Sequence, residues 1–151
     1  MNPSIILAVL IAVAPQSAPR DHPAYVLSQD DGGSDSFSAP RQYLSAPQQT
    51  SPTTRMAWSW SLSAAPDGAP LIDAFLNEYD CAASTVRRVR QERYRAGVLY
   101  DTRVSEAGFR PPHWLEMERR ILGEVCRGSY RALPQVESLD AAAARLLSTR
   151  P

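Results

Sequence analysis

Cys81 and Cys126 are the only two cysteines in this chain of 151 residues, and both lie downstream of an apolar leader. No other feature narrows the possible folds as much. Such a pair points to an oxidising compartment and marks the stretch between its members as the folded part. The leader runs from Ile5 to Ala14 without a polar side chain. It falls short of the ~20 apolar residues that a membrane-spanning helix needs. Its length matches the apolar core of a secretory signal, and Ala12-Val13-Ala14 has the small-x-small form of a cleavage site. No Lys or Arg precedes the run and Pro15 follows it. The alternative is therefore a retained leader that holds the protein at a membrane face. The expectation is export, to the periplasm, the cell surface or the medium.

Residues 1–18 are thus read as signal peptide or leader, and about 135 residues remain, enough for one domain. Basic and acidic residues number 16 each, so the formal net charge is zero. That balance removes the electrostatic case for nucleic-acid binding. Every basic residue is Arg and none is Lys, which a GC-rich genome explains more simply than a specialised Arg surface. Residues 19–54 are rich in Pro, Ser, Gln and Asp, with apolar residues in short groups such as Ala24-Tyr25-Val26-Leu27. A segment of this composition buries too little apolar surface to offset the entropy of ordering it. It is read as a disordered tether, with a short strand at Tyr25 as the weaker alternative. The folded domain is then 55–150.

In Met56-Ala57-Trp58-Ser59-Trp60-Ser61-Leu62 large apolar residues alternate with small or polar ones. Alternate side chains of a strand share a face, so Met56, Trp58, Trp60 and Leu62 point to a core while Ala57, Ser59 and Ser61 face water. Pro66-Asp67-Gly68 supplies a turn. Residues 71–95 fit two patterns. A helix gathers Ile72, Phe75, Leu76, Tyr79, Ala83 and Val86 on one side but leaves Cys81 on the polar face. A strand aligns Phe75, Asn77, Tyr79 and Cys81, with a turn at Ala82-Ala83-Ser84, a return over Thr85–Tyr94, a turn at Arg95-Ala96-Gly97 and a third strand at Val98-Leu99-Tyr100. Pattern favours the strands slightly. Pro111-Pro112 opens a segment that predicts an amphipathic helix to Cys126, with Trp114, Leu115, Ile121, Leu122, Val125 and Cys126 on its apolar face. A last short helix follows Ser138 as N-cap.

Ala57-Trp58-Ser59-Trp60, Glu78-Tyr79-Asp80-Cys81 with Arg87 and Arg88 after it, Tyr94-Arg95-Ala96-Gly97-Val98-Leu99, Pro111-Pro112 and Val125-Cys126 follow one another in order. Over roughly residues 55–127 these pieces resemble the surface-adhesin protein E family of small exported bacterial proteins. Arg95 stands where that pattern has Asp. The resemblance implies an α+β fold: an antiparallel sheet of about four strands packed by a C-terminal amphipathic helix, with Cys81 and Cys126 bridged and a disordered N-terminal tether in front. It also implies attachment to an external surface, and it carries over no binding motif.

A bridge closing a loop of about 45 residues stabilises a fold by ~4 kcal/mol in the chain-entropy model. Redox catalysis favours Cys-x-x-Cys, and a thiolate nucleophile needs a nearby base; neither pattern is present, so the structural reading is favoured. His22 and His113 are far apart and stand in no ligand spacing, so no metal is expected. No Gly-x-Ser-x-Gly elbow or phosphate loop occurs, and no cofactor is expected. Arg87, Arg88, Arg90, Arg93 and Arg95 form no stripe on a helix; on a strand Arg88 and Arg90 share one face and Arg87 and Arg93 the other, as on a solvated edge. Glu118 falls inside the apolar face of the predicted helix. It is expected to pair with Arg88 or Arg90 beneath that helix, unless the helix tilts and lets it reach water. Trp58 and Trp60 read as core more readily than as a ligand platform.

These readings describe a non-enzymatic exported domain that binds a protein or other extracellular macromolecule in the manner of a surface adhesin. The alternative is a periplasmic accessory or structural subunit of a larger envelope complex. Membrane attachment is expected only through a retained leader.

Overall fold

The computed structural model describes residues 17–28, 41–113 and 116–148. The leader, Trp114 and Leu115 lie outside them. Strands β1 (Ala24–Ser28), β2 (Arg41–Leu44), β3 (Gln48–Gln49), β4 (Thr54–Ala64), β5 (Pro70–Asp80), β6 (Thr85–Arg95) and β7 (Val98–Val104) precede helix α1 (Glu116–Arg127). Strand β8 (Gln135–Val136) and helix α2 (Leu139–Ser148) follow it. All eight strands join one antiparallel sheet in the order β7-β6-β5-β4-β2-β1-β8, with β3 beside β4. Expectation and structure part here in two ways. The sheet has eight strands, not about four, and the protein is mostly antiparallel β with two short helices. Three strands, β1 to β3, come from 19–54, the stretch read as a disordered tether. Its short apolar groups, Tyr25-Val26-Leu27 and Tyr43-Leu44, are enough for pairing because β4 offers a long free edge to β2 and β2 then offers its own to β1.

Residues 71–95 form strands β5 and β6, and β4, β5 and β6 make a long meander of eleven-residue strands. Each hairpin has a local cause. Between β4 and β5 the Ala65 N–H donates to Ala69 O at 2.8 Å, with Gly68 at φ 90°. At the next turn the Asp80 carboxylate accepts the N–H groups of Ala82 and Ala83 at 3.0 and 3.1 Å. Between β6 and β7 the two-residue loop Ala96-Gly97 has both φ values positive, 48° and 81°, the twist a tight hairpin needs.

Both sheet faces are covered. Trp58, Trp60, Leu62, Ile72, Ala74, Leu76 and Tyr94 pack with Ala18, Val26 and Tyr43 under Leu139, Ala142 and Ala143 of α2. On the other face Leu27, Leu44, Ala57, Tyr79 and Val86 pack under Ile121, Leu122 and Val125 of α1. Ala57 and Ser59, expected to face water, are therefore buried: the alternation in β4 separates large from small side chains, and α1 sits over the small ones. Pro111 and Pro112 belong to no helix or strand, and α1 begins at Glu116.

Cys81 opens the turn after β5 and Cys126 lies in the last turn of α1; their sulfurs are 2.07 Å apart and their Cα atoms 5.4 Å apart. The bridge pins the end of α1 to the β5–β6 turn, and so fixes the helix on its face. At α2, Ser138 Oγ accepts the Ala141 N–H at 3.0 Å as an N-cap.

Candidate functional site

A cavity of about 900 Å3 opens on the α2 face of the sheet. Its floor is Met56, Trp58 and Trp60 of β4 with Leu76 of β5 and Val89 of β6, and none of its lining comes from α2. One wall is the chain from Ser17 through Pro19, His22 and Pro23; the other is the β2–β3 connection with Ser45, Ala46, Gln48 and Thr50. Strand alternation places the floor. Trp58 stands opposite Leu76 in the β4–β5 ladder, and Trp60 opposite Ala74. The β6 ladder shifts between Leu76 and Asn77, so that Arg90 pairs Leu76 and Arg88 pairs Asn77. The residue left over is Val89. This bulge lets Val89 join Leu76 in the apolar cluster. The tryptophans are both core and cavity floor: Trp58 is 7% exposed and Trp60 1%. The Trp60 indole N–H has no acceptor among the described residues.

Behind the cavity a buried carboxylate ties the wall to the floor. Glu92 is fully buried on the same face as Ala74 and Trp60. Its Oε2 accepts the Ala18 N–H at 2.9 Å and the Tyr94 hydroxyl, and its Oε1 lies 2.6 Å from Arg90 Nη2. Burial, followed by that hydrogen bond and the carboxylate's charge, pushes the Tyr94 phenol pKa up. The Arg20 guanidinium stacks 4.4 Å from the Tyr94 ring centroid and reaches Asp140 of α2 at 3.4 Å. The 17–20 segment is thus clamped over β6 by a backbone N–H and a cation. At the cavity's edge Thr50 donates to Glu78 Oε1 at 3.1 Å, and Arg87 donates to Glu78 Oε2 at 2.7 Å.

The bulge also redistributes the arginines. Arg87 and Arg90 fall on the α2 face and meet Glu78 and Glu92, while Arg88 falls on the α1 face and lies 4.4 Å from the Phe75 ring centroid. Arg93 pairs with Asp73 at 3.0 Å. The expected grouping, Arg88 with Arg90 and Arg87 with Arg93, assumed an unbroken strand. Glu118 meets neither Arg88, which shares its side of the sheet, nor Arg90, which meets Glu92, in an ion pair. It is held by both terminal nitrogens of Arg110, at 2.8 and 3.0 Å, and by the His113 N–H. Burial opposes its ionisation, but Arg110 and the His113 N–H outweigh this and hold its carboxyl below the usual carboxylate range. Arg110 reaches this place because its backbone bridges Val86, N–H to O in both directions, at 2.8 and 3.0 Å. The Arg88 side chain feels the Glu118 charge at longer range, and burial lowers its pKa.

Neither the two histidines nor the cysteines gather into a site. His22 lines the cavity and His113 stands before α1. Among the described residues no three His, Cys, Asp or Glu side chains cluster at metal-holding distance, and no helix is long and apolar enough to cross a membrane. The cavity walls were not legible in the sequence, because 17–18 were read as leader, and 19–23 and 45–50 belong to the stretch whose composition argues for disorder. Glu92 was missed as well. One signal marked it: it alternates with Tyr94 on a strand whose neighbour carries Ala74 at the matching position.

No protein-family model, no curated protein and no solved structure matches this chain.

Proposed function

We propose that this chain is an exported, non-enzymatic binding domain whose cavity receives an apolar group presented by a macromolecular partner, in keeping with the surface-adhesin resemblance. The observation that carries this reading is the cavity itself. Its floor is aromatic and aliphatic, and its polar groups are hydroxyls, an amide and one imidazole at the walls, a lining that suits holding an apolar group in a set orientation. The charged groups near it are already engaged, Glu92 with Arg90 and Glu78 with Arg87. The disulfide and the absence of a spanning helix among the described residues are compatible with export.

The neutral dye N-phenyl-1-naphthylamine tests the site. Saturable, one-to-one binding with quenching of tryptophan emission is expected. Ala46 is exposed on the rim, so Ala46→Trp should fill the mouth and abolish dye binding while the thermal midpoint stays unchanged. Dye binding unaffected by Ala46→Trp, or no saturable binding, removes the cavity as the site.

The second reading, an envelope accessory subunit, draws on a different observation. Strand β7 is an outer edge of the sheet carrying several exposed apolar side chains, which suits addition of a partner strand within an assembly. Protease treatment of intact cells separates the two. Cleavage of the domain supports attachment to outside macromolecules, and full protection supports the accessory role.

A further inference from the structure

The β7 edge is unusual for a single chain. Val98 is 68% exposed, Tyr100 59% and Val104 69%, and Leu99 is exposed as well. The opposite edge of the sheet is β8, a strand of only two residues. Solvent-exposed edges are ordinarily blunted by proline, by charged side chains, by bulges or by shortness. Strand β7 is seven residues long, contains no proline, and carries only Asp101 and Arg103 as charges. It has one irregularity, a register shift against β6 between Arg93 and Tyr94 that leaves Tyr100 as the extra residue. The regular stretch is therefore Asp101–Val104.

That stretch is complementary to itself in a single antiparallel register. In a twofold pairing centred on Thr102, residue 101 of one copy stands opposite residue 103 of the other. Asp101 then meets Arg103 twice, once on each side of the axis. Val104 of each copy then falls beside the bulged Tyr100 of the other, outside the regular ladder. Shifting the axis to Asp101 sets carboxylate against carboxylate, and shifting it to Arg103 sets guanidinium against guanidinium. Axes between residues place no opposite charges face to face. Within one chain Arg103 already lies 3.2 Å from Asp101, and Arg93 lies 3.9 Å from it. The carboxylate is thus held near its strand's face, where the partner's Arg103 would reach it.

We propose that two copies of this chain join edge to edge through β7, antiparallel and centred on Thr102, to form one continuous sheet. The inference does not depend on the cavity. A single seven-residue edge buries less area than a standard interface, so the pairing is a concentration-dependent equilibrium.

Two charge variants of the full mature chain test the register. Arg103→Asp carries only acids at 101 and 103, and Asp101→Arg carries only bases. Sedimentation velocity should show the wild type associating as its concentration rises, each variant alone remaining monomeric, and an equimolar mixture of the two forming a heterodimer. A wild type that stays monomeric at every concentration, or variants that each associate as it does, overturns the proposal. A second probe leaves the charges intact. Thr102→Cys brings its own copy directly opposite, at a Cα separation of about 5 Å in such a ladder, so mild oxidation should yield a covalent dimer. Val98→Cys, which faces no copy of itself in this register, should not. Equal cross-linking at both positions sinks the Thr102-centred register, as does none at 102.

Discussion

Glu92 is fully buried, and three groups converge on it: Arg90, the Tyr94 hydroxyl and the Ala18 N–H. Breaking one side of such a pair strands the other, at a cost of about 3–5 kcal/mol. Glu92→Leu is therefore expected to lower stability by that amount in urea unfolding. The double variant Arg90→Met/Glu92→Leu should lose less than the sum of the single changes, and strict additivity would mean that the two residues do not interact. Glu118 makes a smaller, pH-dependent contribution. Its folded pKa is lowered, chiefly by Arg110 against the opposing effect of burial. Its contribution is therefore present above the ordinary glutamate pKa, roughly pH 4, and is lost as pH falls through the folded value. The Arg110 side chain is 42% exposed, so solvent screening keeps the gain to about 1 kcal/mol. Glu118→Gln should cost that much at neutral pH and nothing in strong acid, as read from unfolding midpoints across pH. The sequence shows that Glu118 needs a partner, because a carboxylate interrupts an apolar helix face. It does not show which arginine, because Arg110 is brought there by a backbone bridge to Val86, 24 residues away in the chain.

Among the elements, β4 was the most legible, since Trp58 and Trp60 alternate with small residues without interruption. Its outer face was misjudged because alternation of size looks like alternation of polarity when the small residues are Ala and Ser; α1 needs small residues beneath it. The strands β1 and β2 were missed for a different reason. Each is too short to stand alone, and their order comes from pairing with β4 and with each other, a long-range effect that composition cannot carry. The β6–β7 hairpin offers an element-scale test. Ala96 holds φ at 48°, a conformation that an alanine side chain disfavours and asparagine tolerates. Ala96→Asn places Asn-Gly in a two-residue loop, the preferred sequence for that turn. It should raise stability by about 0.5–1 kcal/mol, measured as a higher thermal midpoint. A lower midpoint would mean that the loop relaxes to another turn.

For the molecule as a whole, the disulfide and the sheet divide the work of holding α1. Strands β4 to β7 are joined by short hairpins and need no covalent help, whereas α1 follows a long irregular stretch from Ser105 to His113. Joining Cys81 to Cys126 removes the freedom of that stretch in the unfolded chain. Replacing both cysteines by serine is expected to cost about 4 kcal/mol, read by urea unfolding, while leaving the β-sheet signal in far-ultraviolet circular dichroism. A loss under 1 kcal/mol would mean that the packing of Ile121, Leu122 and Val125 alone secures the helix. The same bridge has a mechanical meaning. Tension applied to the ends of a chain lengthens it only where no covalent link closes it. The 45-residue separation between the cysteines withholds about 150 Å of contour from extension. Under load, β6, β7 and α1 form a covalently closed loop that cannot be drawn out. The chain on either side of it, β1 to β5 before and β8 with α2 after, is all that can yield.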